Sequence, residues 1–212
     1  MRIEVWADVV CPWCYLGKRR LEHALAGFDH RDEVEIVYRS FQLDPTAPRD
    51  RVTPTAELLS GKYGMSAEQV DANQRQLEDL AAAEGLEYHL TGSLSGNTYD
   101  AHRVLQLARE RGLADPVVER LYRAYFTEGR SVFDAASLLE LATDAGLDRD
   151  EVGKVLAGSA YADAVDADGA EAQALGATGV PFFVLDRRYG ISGAQPVDVF
   201  SRALAQAWHA RG

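Results

Sequence analysis

The chain holds only two cysteines, and they stand three positions apart in Cys11-Pro12-Trp13-Cys14, at the junction of an alternating apolar segment and a helical pattern. A disulfide used for stability is expected to close a longer loop, because the entropy it removes from the unfolded chain grows with loop length. So tight a pair points to reversible redox chemistry or to half of a metal site. Ile3 to Val10 has the β-branched and aromatic content of a strand, with Ile3, Val5 and Ala7 on one face. From Tyr15 onward Leu16, Arg20, Leu21, Ala24, Leu25 and Phe28 recur at helical spacing until Asp29-His30. The pair therefore sits where a strand hands over to a helix.

That placement suits dithiol chemistry. Helical residues three apart have β-carbons roughly 5–6 Å apart, and bridged cysteines have Cα atoms about 4.4–6.8 Å apart, so the two thiols can close on each other. Unpaired amides and the positive end of the helix dipole favour the thiolate of the leading cysteine. Cys11 is thus the expected nucleophile. Pro12 fits the first helical turn, where its missing N–H costs little. Cys14, one turn inside, is the expected resolving thiol. Trp13, in an exposed loop, is an expected substrate contact. It brings no positive charge, which predicts a weaker oxidant than a histidine there would give.

The zinc alternative needs two further ligands, and His23, His30, His89, His102 and His209 show no pair at H-x3–5-H spacing. No metal is expected. At the other end of the chain Thr178-Gly179-Val180-Pro181 precedes the apolar run Phe182-Phe183-Val184-Leu185. Alone, such a proline reads as the trans start of an edge strand. Beside a strand-CxxC-helix unit, the cis form is favoured.

A second strand follows the first helix, Val34 to Phe41, and a parallel pair joined by a right-handed crossover is the expected opening unit. After a loop containing Pro45, Pro48 and Pro54 the composition turns to helix formers. Ser66 with Gln69 reads as a capping box opening a long helix toward Glu84, with Gly85 ending it. Asn97 offers an N-cap for a helix with Ala101, Val104, Leu105 and Ala108 on one face. A further helix is expected with Pro116 near its start, and others after Asp134 and Asp148, the last with Glu151 as cap partner. A helix over Val165 to Leu175, the Phe182–Leu185 strand, a turn at Asp186 to Gly190, a short strand at Ile191-Ser192-Gly193 and a helix from Val197 to Trp208 complete the order. The expected fold is α/β, with residues 1–48 and 161–212 forming one discontinuous domain and residues 49–160 a helical insertion.

Lys and Arg number 22 against 33 Asp and Glu, a net charge of −11. Binding to nucleic acid or to an anionic membrane is disfavoured, because phosphates are held by clustered Lys and Arg. Lys18-Arg19-Arg20 and Arg187-Arg188 read as solvated faces or turns. Met1 to Asp8 alternates apolar and charged residues without a signal-peptide core, and no run approaches the roughly 20 apolar residues of a membrane span. A cytoplasmic location is expected. The sequence carries no signal for oligomeric state.

Three segments together resemble the DsbA-like branch of the thioredoxin superfamily, and specifically FrnE-type cytoplasmic oxidoreductases. They are Asp8-Val9-Val10-Cys11-Pro12-Trp13-Cys14-Tyr15-Leu16-Gly17, Asn97-Thr98-Tyr99-Asp100-Ala101-His102-Arg103, and Gly179-Val180-Pro181-Phe182-Phe183. The resemblance covers essentially the full chain. It implies a thioredoxin fold interrupted by a helical domain, Cys11 and Cys14 as the redox pair, Pro181 as a cis-proline beside them, and main chain at Val180 available to pair with an extended substrate. The chain is also similar to 2-hydroxychromene-2-carboxylate isomerases and kappa-class glutathione transferases, which typically carry serine at the position of Cys11 and use glutathione. Some FrnE-type members have a second, C-terminal cysteine pair; no cysteine follows Cys14 here, which excludes a relay between two disulfides of one chain.

The leading functional expectation is a thiol-disulfide oxidoreductase acting on a peptide or small thiol with no bound cofactor, glutathione or another thiol serving as co-substrate. The alternatives are a glutathione-dependent isomerase or transferase acting on an aromatic or polyketide-like molecule, and a redox-responsive chaperone or binding module. Two residues of the helical block are further candidates for substrate contact. His102 either faces the interdomain cleft or is a satisfied core histidine, and Asn97 is either a helix cap or a ligand contact.

Overall fold

The computed structural model describes residues 1–211. In chain order the elements are β1 (Arg2–Ala7), α1 (Pro12–Ala26), β2 (Glu35–Ser40), β3 (Thr53–Pro54), α2 (Thr55–Tyr63), α3 (Ala67–Ala83), β4 (Leu94–Ser95), α4 (Tyr99–Glu110), α5 (Ala114–Phe126), α6 (Ala135–Asp144), α7 (Arg149–Ala157), α8 (Ala162–Ala174), β5 (Phe182–Leu185), β6 (Tyr189–Ser192) and α9 (Val197–His209). Four strands form one sheet in the order β2-β1-β5-β6. β1 runs parallel to β2, with Ile3 opposite Ile36, and antiparallel to β5, with Val5 opposite Phe183. This is the expected α/β, thioredoxin-like sheet, with the helical insertion threaded between β2 and α8.

β1 is central, so both its faces are covered and five of its six residues are buried. Ile3, Val5 and Ala7 join Phe183, Leu185, Phe200 and Leu204 in the main core. Trp6 turns to the opposite face, where it packs with Ala172, Phe182 and Val184 and donates its indole N–H to the Asp168 carbonyl at 2.8 Å. Glu4 shares that face, 1% exposed, and is neutralised by Arg39 and Arg187. β1 stops at Ala7, short of the expected Val10, because the Cys11 N–H closes a turn onto the Asp8 carbonyl at 3.1 Å.

The long helix α3 has its full capping box, with Ser66 and Gln69 each bonding the other's backbone N–H. α6 and α7 begin at Asp134 and Asp148 as expected. The Asp148 pair is only half a box, however, since the Glu151 carboxylate is drawn to Arg111. Before α4 the N-cap position falls on Thr98, one residue later than expected. Asn97 instead accepts the Tyr99 N–H at 2.9 Å and donates to the Ala47 carbonyl at 2.7 Å, tying the helix start to the loop after β2. β6 begins at Tyr189, inside the segment expected to be a turn, because Asp186 and Arg187 make the reversal alone at φ of 44° and 57°.

Lys18 does not lie on a solvated face. Its side chain is 5% exposed and is surrounded by Glu22, Asp115 and Glu119. Glu119 also accepts from the Tyr15 hydroxyl at 2.7 Å and from Arg19 at 2.8 Å, so this cluster fastens α1 to α5. Beneath it Tyr15 stacks on Tyr122 at 4.8 Å, and Tyr88 on Phe126 at 4.7 Å. The helical insertion is therefore clamped to the cysteine-bearing helix by ions at one level and aromatic rings below. Among the described residues no helix is long and apolar enough to cross a membrane.

Candidate active site

Three chain segments converge at the first turn of α1. Cys11 is the N-cap residue, with extended φ and ψ of −87° and 113°, and Pro12 follows in the first turn. The Cys14 N–H donates to the Cys11 carbonyl at 3.0 Å, which sets the second cysteine one turn inside. Both cysteines are free thiols and buried, Cys11 3% and Cys14 2% exposed. The Cys11 thiol points to the Val180 carbonyl at 3.7 Å, and the Val180–Pro181 peptide is cis. α1 can come this close to Pro181 because residue 17 is glycine. A β-carbon there would stand 2.9 Å from the proline ring and 3.2 Å from Phe183.

The two thiols sit in unequal environments. Burial pushes the Cys14 thiol well above its ordinary range, and the adjacent Cys11 adds to the effect. Cys14 thus stays protonated at neutral pH. The Pro12 carbonyl accepts the Tyr88 hydroxyl at 2.7 Å, so the loop between the cysteines is held by the helical insertion. Burial and the nearby Glu119 push the Tyr15 phenol up to about 12. Despite burial, the Glu119 carboxyl is held below its usual range by Lys18, Tyr15 and Arg19.

Behind the loop lies a pair that the sequence did not join. Asp8 and His102, each 1% exposed, meet at 3.1 Å between a carboxylate oxygen and Nε2. The other Asp8 oxygen accepts the Leu43 N–H at 2.8 Å, and His102 Nδ1 is buried without a partner. His102 therefore belongs to the core and faces no cleft.

A cavity of about 360 Å³ opens beside the thiol. Cys11, Pro12, Trp13 and Val180 line it, together with residues of α2, α3 and the end of α5. Pro181, His102 and Asn97 are not among the residues that line it. The ring of His102 is spent on Asp8, and the amide of Asn97 on Ala47 and Tyr99. Sequence reasoning missed α2, which builds one wall, and missed Tyr88 and Gly17 as supports of the loop. The signal for α2 was present as Thr55, Leu58, Leu59, Lys62 and Tyr63 at helical spacing. Among the described residues, no three His, Cys, Asp or Glu side chains gather as a metal site would need.

Residues 2–205 match the DSBA-like thioredoxin domain family. The fold superposes on the crystal structure of a probable DsbA oxidoreductase from Streptomyces coelicolor with a TM-score of 0.97 and 56% identity, over 100% of this chain and 92% of the other. The cytosolic disulfide reductase DsbM from Pseudomonas aeruginosa, solved with GSH, superposes with a TM-score of 0.66 at 20% identity, covering 99% of this chain and 100% of its own. A 2-hydroxychromene-2-carboxylate isomerase gives 0.73 at 18% identity, covering 100% and 98%. The last two likenesses establish the fold alone. The protein YwbO of Bacillus subtilis strain 168, itself described as uncharacterized, is 28% identical over 97% of this chain and 96% of its own.

Proposed function

Starting from the fact that the chain belongs to the DSBA-like thioredoxin family, we propose that it is a FrnE-type thiol-disulfide oxidoreductase in which Cys11 attacks and Cys14 resolves. One observation carries the reading: two free thiols lie a helical turn apart, the leading one at the start of α1 and 3.7 Å from the Val180 carbonyl, the other buried deeper. In the reducing direction the Cys11 thiolate attacks one sulfur of a disulfide, the substrate S–S bond breaks, and the first thiolate leaves and takes a proton. The mixed disulfide at Cys11 is then attacked by Cys14, which gives up its proton and expels the second thiolate. The enzyme has lost two electrons and the substrate has gained them. Glutathione or another thiol returns the dithiol, and no bound cofactor or metal takes part.

Residues 1–48 and 161–212 serve in this reading as the redox domain, and residues 49–160 as a cover that shapes access to it. Val180, joined to Pro181 by a cis peptide, presents the wall beside Cys11, and Trp13 meets the substrate at the cavity mouth. The partner is a thiol or disulfide, not nucleic acid or membrane, and the working compartment is the cytoplasm. A glutathione-dependent isomerase would not need a second thiol behind the first. Insulin reduction driven by dithiothreitol or glutathione tests the proposal. The wild-type protein should exceed the uncatalysed rate and Cys11→Ser should not; a variant that kept the rate would end the dithiol reading.

A further inference from the structure

The helix α2 carries a stripe that the core does not use. Thr55, Leu58, Leu59, Lys62 and Tyr63 recur at three- and four-residue spacing, which places them on one face, and all five line the cavity. No residue of α2 is fully buried. Leu58 and Leu59 are half-buried where α2 meets α3, and both also face the space in front of Cys11. From the opposite side Val10, Trp13 and Leu43 add apolar surface, and Trp13, Leu43 and Tyr63 remain 41%, 43% and 63% exposed at its rim. Large exposed apolar side chains around a concave space mark a ligand site.

Charge narrows the class of ligand. The one cation in the lining is Lys62, which is solvent-exposed and sits over the Tyr63 ring at 5.8 Å. It is outnumbered by Asp8 and Asp44, in a chain of net charge −11. Glutathione disulfide carries two carboxylates in each half, and the lining offers them a single cation beside neutral polar side chains such as Asn73 and Ser95, so most of that charge would be desolvated without a counter-ion. Size narrows it further. Cys11 is 3% exposed in the wall of the cavity, so its sulfur is reached most directly by a disulfide small enough to enter that space.

We infer that the substrate of this site is a small, uncharged, apolar disulfide of aromatic size, and that the α2 stripe is what selects it. The inference rests on the dithiol reading above and names its substrate class. The reaction is the same two-step exchange: one substrate S–S bond is exchanged for the Cys11–Cys14 bond, two apolar thiols leave with one proton each, and an external dithiol restores the enzyme.

The test uses the reduced full-length protein in stopped-flow mixing with 4,4′-dithiodipyridine, 2-hydroxyethyl disulfide and glutathione disulfide, each rate divided by that of dithiothreitol with the same compound. This ratio removes the intrinsic reactivity of each disulfide. A pocket contact of this kind is worth about tenfold or more, so the aromatic probe should exceed glutathione disulfide by at least that factor. Leu59→Glu should lower the ratio of the aromatic probe without raising that of glutathione disulfide, whereas Leu59→Lys should raise the glutathione disulfide ratio above wild type, a gain that a damaged fold cannot produce. Equal ratios, or a preference for glutathione disulfide in the wild type, would overturn the substrate class and leave the oxidoreductase standing. Absence of Cys11 oxidation by all three compounds would overturn both.

Discussion

Replacing Gly17 by alanine sets two opposing effects against each other at the centre of the site. In a helix interior alanine is favoured over glycine by about 1 kcal/mol, so α1 taken alone would gain. The added methyl, however, would stand 2.9 Å from Pro181 Cγ, 3.2 Å from Phe183 Cζ and 3.5 Å from Ala194 Cβ. Overpacking of this kind costs about 1–3 kcal/mol, because Phe183 is fully buried and cannot retreat. The net expectation is a loss of about 1 kcal/mol, or a melting point lower by about 2–4 °C for a chain of this size. Gly169→Ala in α8 is the control, since a β-carbon there meets nothing within 4 Å. It should gain about 1 kcal/mol, placing the two variants on opposite sides of wild type in urea denaturation. If Gly17→Ala were stabilised in step with Gly169→Ala, the close approach of α1 to Pro181 would be refuted.

Two further outcomes follow from the buried charges. His102→Phe removes the partner of one Asp8 oxygen and should cost about 1–3 kcal/mol of stability, read from the urea midpoint; an unchanged midpoint would show that the pair contributes nothing. Glu119, held below its ordinary range in the fold, contributes stability that is present above its unfolded value of about 4.3 and is lost as pH falls through its folded value. The stability gap between wild type and Glu119→Gln should therefore be widest near neutrality and close in acid. A gap that stayed constant with pH would contradict the Lys18–Glu119 cluster.

The sequence exposed those features whose signals are local. The alternating strand, the cysteine loop, Pro12 at the helix start, and the caps at Ser66, Asp134 and Asp148 each depend on neighbours within a few residues. What stayed hidden depends on distant partners. Lys18 reads as part of a basic surface run because Glu119, which buries it, is a hundred residues away. Asp8 and His102 are 94 residues apart, and neither gives a sign of the other. α2 follows a proline-rich loop, contains Gly61, and turns its apolar stripe to a cavity instead of the core. Its nine residues lacked the length that makes a periodic pattern plain. The shift of the helix cap from Asn97 to Thr98 follows from the Asn97 side chain being drawn to the loop after β2, which propensity alone cannot register.

The division of labour between the two thiols is tested most directly by trapping. Cys14→Ser leaves Cys11 as the only cysteine of the chain. Mixed in the folded state with 2-hydroxyethyl disulfide, this variant should hold one mixed disulfide at Cys11 that persists in intact-mass measurement, while the wild-type protein releases the adduct and closes its own disulfide. A Cys14→Ser protein that formed no adduct faster than its urea-unfolded form, or wild type that kept its adduct, would contradict the assignment of Cys11 as attacker and Cys14 as its resolving partner.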